Sequence, residues 1–180
     1  MCIFYSETEF VWYILGEITN NTGQDQQYVD LYASFYNAAG VEIATDPDPT
    51  PLLALVLPDG VTASFSIFLD SPAAPAEYSI SIVSDLAVLD TRQDLDWDGE
   101  LTVTDSGAYV SGTITNRGSV LPDGVAEVLV TCYDRDGAVV AVGAEILTVV
   151  MSSSQTASFS IFVDGIIPAI DSFDVLVLGH

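Results

Sequence analysis

Thr62-Ala63-Ser64-Phe65-Ser66-Ile67-Phe68 recurs without change as Thr156-Ala157-Ser158-Phe159-Ser160-Ile161-Phe162. In each copy the apolar residues Ala, Phe and Ile alternate with serine. A period of two puts the apolar side chains on one face of an extended chain and the serines on the other, which predicts a half-buried β-strand. Seven identical residues in register also mark an internal repeat. Outward from this stretch, Tyr13-Ile14-Leu15-Gly16-Glu17-Ile18-Thr19-Asn20 parallels Tyr109-Val110-Ser111-Gly112-Thr113-Ile114-Thr115-Asn116. Leu31-Tyr32-Ala33-Ser34-Phe35-Tyr36-Asn37 parallels Val128-Leu129-Val130-Thr131-Cys132-Tyr133-Asp134. The offsets are 96, 97 and 94, so insertions fall between the elements, where loops tolerate them. A repeat of this length means two copies of one small domain rather than a solenoid.

The same alternation runs through the other segments. Leu31, Ala33 and Phe35 oppose Tyr32, Ser34 and Tyr36, and Cys132 takes the core-facing place that Phe35 holds in the first copy. Turn signals recur at Asn21-Thr22-Gly23, Ala39-Gly40, Pro58-Asp59-Gly60, Pro122-Asp123-Gly124 and Asp136-Gly137. No window sustains a helical period. The pattern predicts an all-β chain of two tandem antiparallel β-sandwiches, with roughly seven strands in each. The boundaries fall at 1–89 for the first sandwich, 90–100 for an acidic linker and 101–180 for the second.

Composition narrows the function. The chain has 180 residues, 26 Asp or Glu against 3 Lys or Arg, and a net charge of −23. Such a surface repels phosphate, so nucleic acid is excluded as a partner, and so is a polybasic membrane contact. No lysine is present for a Schiff base or a P-loop, and the single histidine is His180, the last residue. A residue in that position is expected to be mobile, which argues against nucleophilic catalysis on an imidazole and against zinc. The two cysteines, Cys2 and Cys132, fall in different copies and do not read as a disulfide framework. Neither a signal peptide nor a membrane-spanning run is visible, and the chain enters strand-like sequence almost at once, as a piece of a longer or processed protein would. Membrane attachment is left to a lipid anchor outside the chain or at Cys2.

Val128-Leu129-Val130-Thr131-Cys132-Tyr133-Asp134-Arg135-Asp136-Gly137, with the preceding Gly112-Thr113-Ile114-Thr115-Asn116, resembles the signature strands of FxLYD domains. Leu57-Pro58-Asp59-Gly60-Val61-Thr62-Ala63-Ser64-Phe65 resembles that family's turn-plus-strand region. Departures are Asn37 in place of Asp, Ala33 and Val130 in place of Phe, and Gln155 in place of Gly. The resemblance implies an immunoglobulin-like sandwich on bacterial or archaeal surface proteins and lipoproteins, with no catalytic residues.

Five of the acids crowd into 90–100, against 12 before it and 9 after it. Asp94-Leu95-Asp96-Trp97-Asp98-Gly99-Glu100 has the spacing of a Ca2+ loop: acids at positions 1, 3 and 5, glycine at 6, and a carbonyl at 7 from Glu100. Asp105 stands at position 12, but if 101–105 is extended it lies about 13 Å along the chain, too far to ligate. The metal set expected is therefore Asp94, Asp96, Asp98 and Glu100, with Asp105 as the outlying member. A bound Ca2+ would stiffen the junction between the sandwiches.

These features lead to a non-catalytic spacer or adhesion module of a secreted or cell-surface protein, with protein partners or neighbouring domains of the same surface protein. Second comes a carbohydrate- or other ligand-binding module using Trp12 or Trp97. Third is a carboxylate-pair glycosidase. Phe68 and Phe162, on the serine face, are expected to pack under loops, with a partner surface as the alternative. Asn20-Asn21-Thr22 fits the glycosylation pattern but is set aside as a chance tripeptide. Asp46-Pro47-Asp48-Pro49-Thr50-Pro51, absent from the second copy, reads as a stiff exposed spacer.

Overall fold

The structure is a computed structural model that describes residues 2–6, 11–45, 50–70, 74–104, 107–121 and 123–180. The chain divides into two compact units, Met1–Leu86 and Ala87–His180. Both are built from antiparallel strands, and no α-helix occurs among the described residues.

In the first unit, β1 (Cys2–Ser6), β2 (Val11–Thr19) and β7 (Thr62–Leu69) form one sheet in the order β1-β2-β7. The other sheet is centred on β3 (Gln26–Tyr36). One of its flanks is β8 (Glu77–Leu86), and the other is a broken row of β4 (Glu42–Thr45), β5 (Thr50–Pro51) and β6 (Val56–Leu57). Ala63, Phe65 and Ile67 of β7 are buried, as are Leu31, Ala33 and Phe35 of β3. These are the residues that the period-two pattern assigns to the core face.

The second unit contains β9 (Leu95–Thr104), β10 (Gly107–Asn116), β11 (Val125–Tyr133), β12 (Val139–Thr148), β13 (Thr156–Gly165) and β14 (Ser172–Gly179). Their order is β14-β11-β12-β13-β10-β9. β12 and β13 pair only at Ala141–Gly165 and Val142–Asp164, so the sheet folds over at that corner into two three-stranded faces. Val110, Ile114, Phe159 and Ile161 from one face meet Val128, Val130, Cys132 and Val175 from the other in one apolar core. Each unit thus has six strand rows among the described residues, one fewer than turn spacing suggested. The strands are longer than the punctuation implied, with β8, β9, β10, β12 and β13 at 10 residues each.

The repeat extends to the register. Gly16 faces Phe65 as Gly112 faces Phe159. Ala33 faces Ile80 as Val130 faces Val175. A β-bulge falls between Phe35 and Tyr36, and again between Cys132 and Tyr133. The hairpin after it is also shared. The Asn37 side chain accepts from the amides of Ala39 and Val41 (2.9 and 3.0 Å), and Asp134 accepts from those of Asp136 and Ala138 (both 2.9 Å). Either residue type supplies that acceptor, which explains why Asn replaces Asp at no structural cost. Gly40 and Gly137 close the two turns at φ 72° and 79°, a conformation that side chains resist.

The two units differ in the row beside the central strand. β12 pairs with β11 without interruption from Thr148 to Ala141. In the first unit Thr50-Pro51 forms the two-residue β5 opposite Leu31 and Asp30, and Asp46–Pro49 lies outside the described residues. Proline lacks the N–H that a ladder needs, and β5 ends at Pro51.

Candidate functional site

The acidic stretch read as a linker is largely strand. The division between units falls after Leu86, and Arg92 exchanges two backbone hydrogen bonds with Gly179 (both 2.9 Å), which ties 91–94 to the second unit. Leu95 to Glu100 form the first part of β9, paired with Ser111–Asn116 of β10. The pattern that suggested a metal loop also has a strand's period. Leu95 and Trp97 pack with the core, whereas Asp96, Asp98 and Glu100 are exposed on the opposite face. Residues two apart on a strand are separated by about 6.6 Å, and a straight chain cannot bring three such carboxylates onto one ion as a wrapping loop does.

The arginines engage the first two acids. Arg92 donates from Nε and Nη2 to Asp94 Oδ1 (2.8 and 2.7 Å), from Nη2 to Asn116 Oδ1 (3.0 Å), and from Nη1 to the carbonyls of Ser119 and Val120 (2.6 and 3.2 Å). Its guanidinium is thereby a cross-link between the start of β9 and the turn after β10. Arg117 donates from Nε to Asp96 Oδ2 at 2.6 Å, an exposed pair of small energetic weight. No group of three His, Cys, Asp or Glu able to hold a metal ion occurs among the described residues. Asp105 lies outside them.

Beside Asp98 and Glu100 is a shallow depression of about 380 Å³, walled by Ser111 and Thr113 and floored by the facing pair Gly99 and Gly112. The glycines are there because the backbones nearly touch. A Cβ on Gly112 would lie 2.2 Å from the Asp98 carbonyl oxygen and 2.7 Å from Gly99 Cα. The depression is therefore a product of strand packing. Its lining offers carboxylates and hydroxyls but no imidazole or thiol.

His180 departs from expectation. It is buried rather than mobile: its N–H donates to the Val125 carbonyl at 2.8 Å, and its Nε2 hydrogen-bonds the equally buried Glu127. Thr91 Oγ1 lies 3.5 Å from Nδ1. Hydroxyl, imidazole and carboxylate stand in the order of a nucleophilic triad, but His180 and Glu127 are each only 1% exposed, so a substrate cannot reach the ring. The pair instead pins the end of β14 to β11. Cys132 is wholly enclosed, and burial raises its thiol pKa from 9.0 to about 12. It is an inert core residue.

The motif residues Asn20 and Asn116 have a role the sequence did not disclose. Both are buried. Asn20 Nδ2 donates to the carbonyls of Gln24 and Leu57 (both 2.8 Å), and its Oδ1 accepts from the Thr22 amide and hydroxyl (3.0 and 2.8 Å). Asn116 Nδ2 donates to the carbonyls of Ser119 and Met151 (2.6 and 2.8 Å), and its Oδ1 accepts from Gly118 and Arg92 (2.9 and 3.0 Å). Each asparagine fastens the turn after its strand. Asn20 is thus committed inside the fold rather than presented as a glycan acceptor.

The aromatic residues are also engaged within their units. Trp97 packs against Phe173 with ring centres 6.0 Å apart, and Trp12 lies 5.1 Å from Tyr5. Phe162 meets Tyr109 edge-on at 5.4 Å and remains 48% exposed, so it is half of a cross-strand aromatic pair rather than a plug under a loop. Phe68 faces Tyr13 in the same register and is 56% exposed.

Comparison with models of protein families, with curated proteins and with solved structures gives no match for this chain.

Proposed function

We propose that the chain is a non-catalytic tandem module of two immunoglobulin-like sandwiches of the FxLYD kind, acting as a spacer or adhesion unit in a secreted or cell-surface protein of bacteria or archaea. The observation that carries the reading is the duplication of one hydrogen-bonded framework, down to the bulge before Tyr36 and Tyr133. The motif residues support it from another direction. Asn20, Asn116, Asn37 and Asp134 fasten turns, and the glycine pair 99 and 112 seats two strands. These are structural duties, and those of the turn residues recur in both copies. The surplus acid supplies solubility and keeps copies apart in an extracellular setting. Trp12 and Trp97 are held in intramolecular ring contacts, which favours the spacer over a carbohydrate-binding face.

Pulling the chain by its two ends tests the reading. Two separate unfolding events are expected, each releasing about 300 Å of chain at about 3.5 Å per residue. A single event of twice that length, or extension with no resolved force peak, would show that the chain is not two load-bearing modules.

A further inference from the structure

The outer face of β9, β10 and β13 in the second unit carries two neighbouring features that its own chain leaves in water. The first is a ring pair. Tyr109 and Phe162 face each other across β10 and β13, 37% and 48% exposed. The Phe162 ring is seated over Gly107, where an added Cβ would come within 2.4 Å of it. The second feature is the row of acids along β9. Asp94 and Asp96 each hold an arginine of the same unit, Arg92 at 2.7 Å and Arg117 at 2.6 Å. Asp98 and Glu100 continue the row, are exposed, and hold no cation among the described residues. The chain has none to spare. It contains three arginines and no lysine, and the third arginine, Arg135, is on Asp171. Thr113 and Ser111 stand opposite Asp98 and Glu100, with the shallow depression between them. The register then brings the rings next in line: Thr102 follows Glu100 on the exposed face and stands opposite Tyr109.

We propose that this face docks an extended segment of a basic partner protein. Two arginines at alternate positions sit on Asp98 and Glu100, and an apolar or aromatic side chain at the next alternate position sits on the Tyr109–Phe162 pair. The spacing carries the choice of occupant. Alternate residues of any extended chain lie about 6.6 Å apart, so a segment laid along β9 presents its side chains at the interval of the acids. That interval is too wide for one small ion to bridge but suits one guanidinium on each carboxylate. Arg117 on Asp96 shows the contact already made within the chain. Coulomb attraction to a chain of net charge −23 draws any basic protein, whereas the ring pair beside the acids fixes register and direction. The docking face is independent of the spacer role, which the pulling experiment tests separately.

The test titrates the full 180-residue chain, at about 0.15 M salt, with an end-blocked, labelled peptide Gly-Arg-Thr-Arg-Thr-Tyr-Gly. A second peptide of the same composition places the two arginines side by side. The expected result is saturable one-to-one binding, about five-fold tighter for the first peptide than for the second. Asp98→Asn and Glu100→Gln should each weaken the first peptide by about three-fold. Asp123→Asn removes the same charge from an exposed position in the turn before β11 and should change binding by less than about 1.5-fold. Tyr109→Thr, used if it melts as the wild type does, should cost about three-fold. Equal binding of the two peptides, equal losses from Asp98→Asn and Asp123→Asn, or no binding at millimolar peptide overturns the proposal. So does displacement of the peptide by a neutral oligosaccharide, which would assign the rings to carbohydrate, or a chain that sediments as a dimer until Tyr109 is replaced.

Discussion

The first and second units share a ladder of hydrogen bonds yet differ in what covers it. Val175 and Val177 of β14 are buried, while Ile82, the counterpart of Val177, stands half in solvent. In the second unit β9 runs for ten residues and lays Leu95 and Trp97 over the end of the core. The other flank differs too, since β12 is continuous and its counterpart is divided among the short strands β4, β5 and β6. Register and burial are therefore separable properties. Alternation and turns set the register, but an adjacent strand must arrive before an apolar side chain leaves water.

The comparison can be broken most severely at the asparagines. Asn116→Ala removes four hydrogen bonds and leaves the Arg92 guanidinium with an unmet donor, so a loss of about 4 kcal/mol is expected in the second unit. Asn20→Ala lacks the arginine component and should cost the first unit about 2–3 kcal/mol. Each unit holds one tryptophan, so denaturant melts followed with either Trp12 or Trp97 replaced by Phe separate the two losses. Equal costs would remove Arg92 from the account.

Leu95→Ala should loosen the end of the second unit's core. Leu95 is 6% exposed, and truncation at such a site costs about 2–3 kcal/mol. The expected signature is a lowered melt for the second unit alone, with faster amide exchange in β14. A cost near zero would mean that the first half of β9 closes nothing.

Cys132 gives a pH test confined to the second unit. Burial pushes the folded thiol up to about 12, from the 9.0 of a thiol in water. Between those values the folded state keeps a proton that the unfolded state has lost. The stabilisation is whole below pH 9 and declines as pH rises toward 12, by about 1.4 kcal/mol per pH unit. By pH 10 the wild type should have lost about that much more than Cys132→Ala, each measured against its own stability at pH 8. Parallel curves would place the thiol in water. Native-state alkylation at neutral pH should likewise reach Cys2 well before Cys132.

The smallest effect expected is that of calcium. With Asp94 and Asp96 on arginines and Asp96, Asp98 and Glu100 spaced along an extended strand, millimolar Ca2+ should leave both melting transitions within about 1 °C. A rise that Asp96→Ala abolishes would restore the loop reading of 94–100.

The fold was legible because its signals are local. Ala63, Phe65 and Ile67 already mark a buried face, and Phe159 and Ile161 mark it again in the second copy, although Ser64 on the other face of β7 is buried as well, which the alternation did not foretell. Cys132 could be placed in the core by its match to Phe35 alone. The site was less legible. Asp94-Leu95-Asp96-Trp97-Asp98 carries two overlapping patterns, carboxylates at loop spacing and apolar residues at strand spacing. The choice between them depends on whether an edge lies alongside. β10 provides that edge through Gly112, whose missing side chain lets the strands approach. The enclosure of His180 is hidden for a related reason, since its partner Glu127 stands 53 positions away in sequence.

The sequence by itself determined the duplicated β-architecture, the inward faces and the turns, because alternation and turn chemistry act over a few residues. Only the tertiary structure decided that the acidic stretch from Leu95 onward is a strand, that the asparagines are buried anchors, and that His180 is enclosed beside Glu127. Those outcomes depend on which distant strand comes to lie alongside, and pairing over such separations leaves no mark in either segment taken alone.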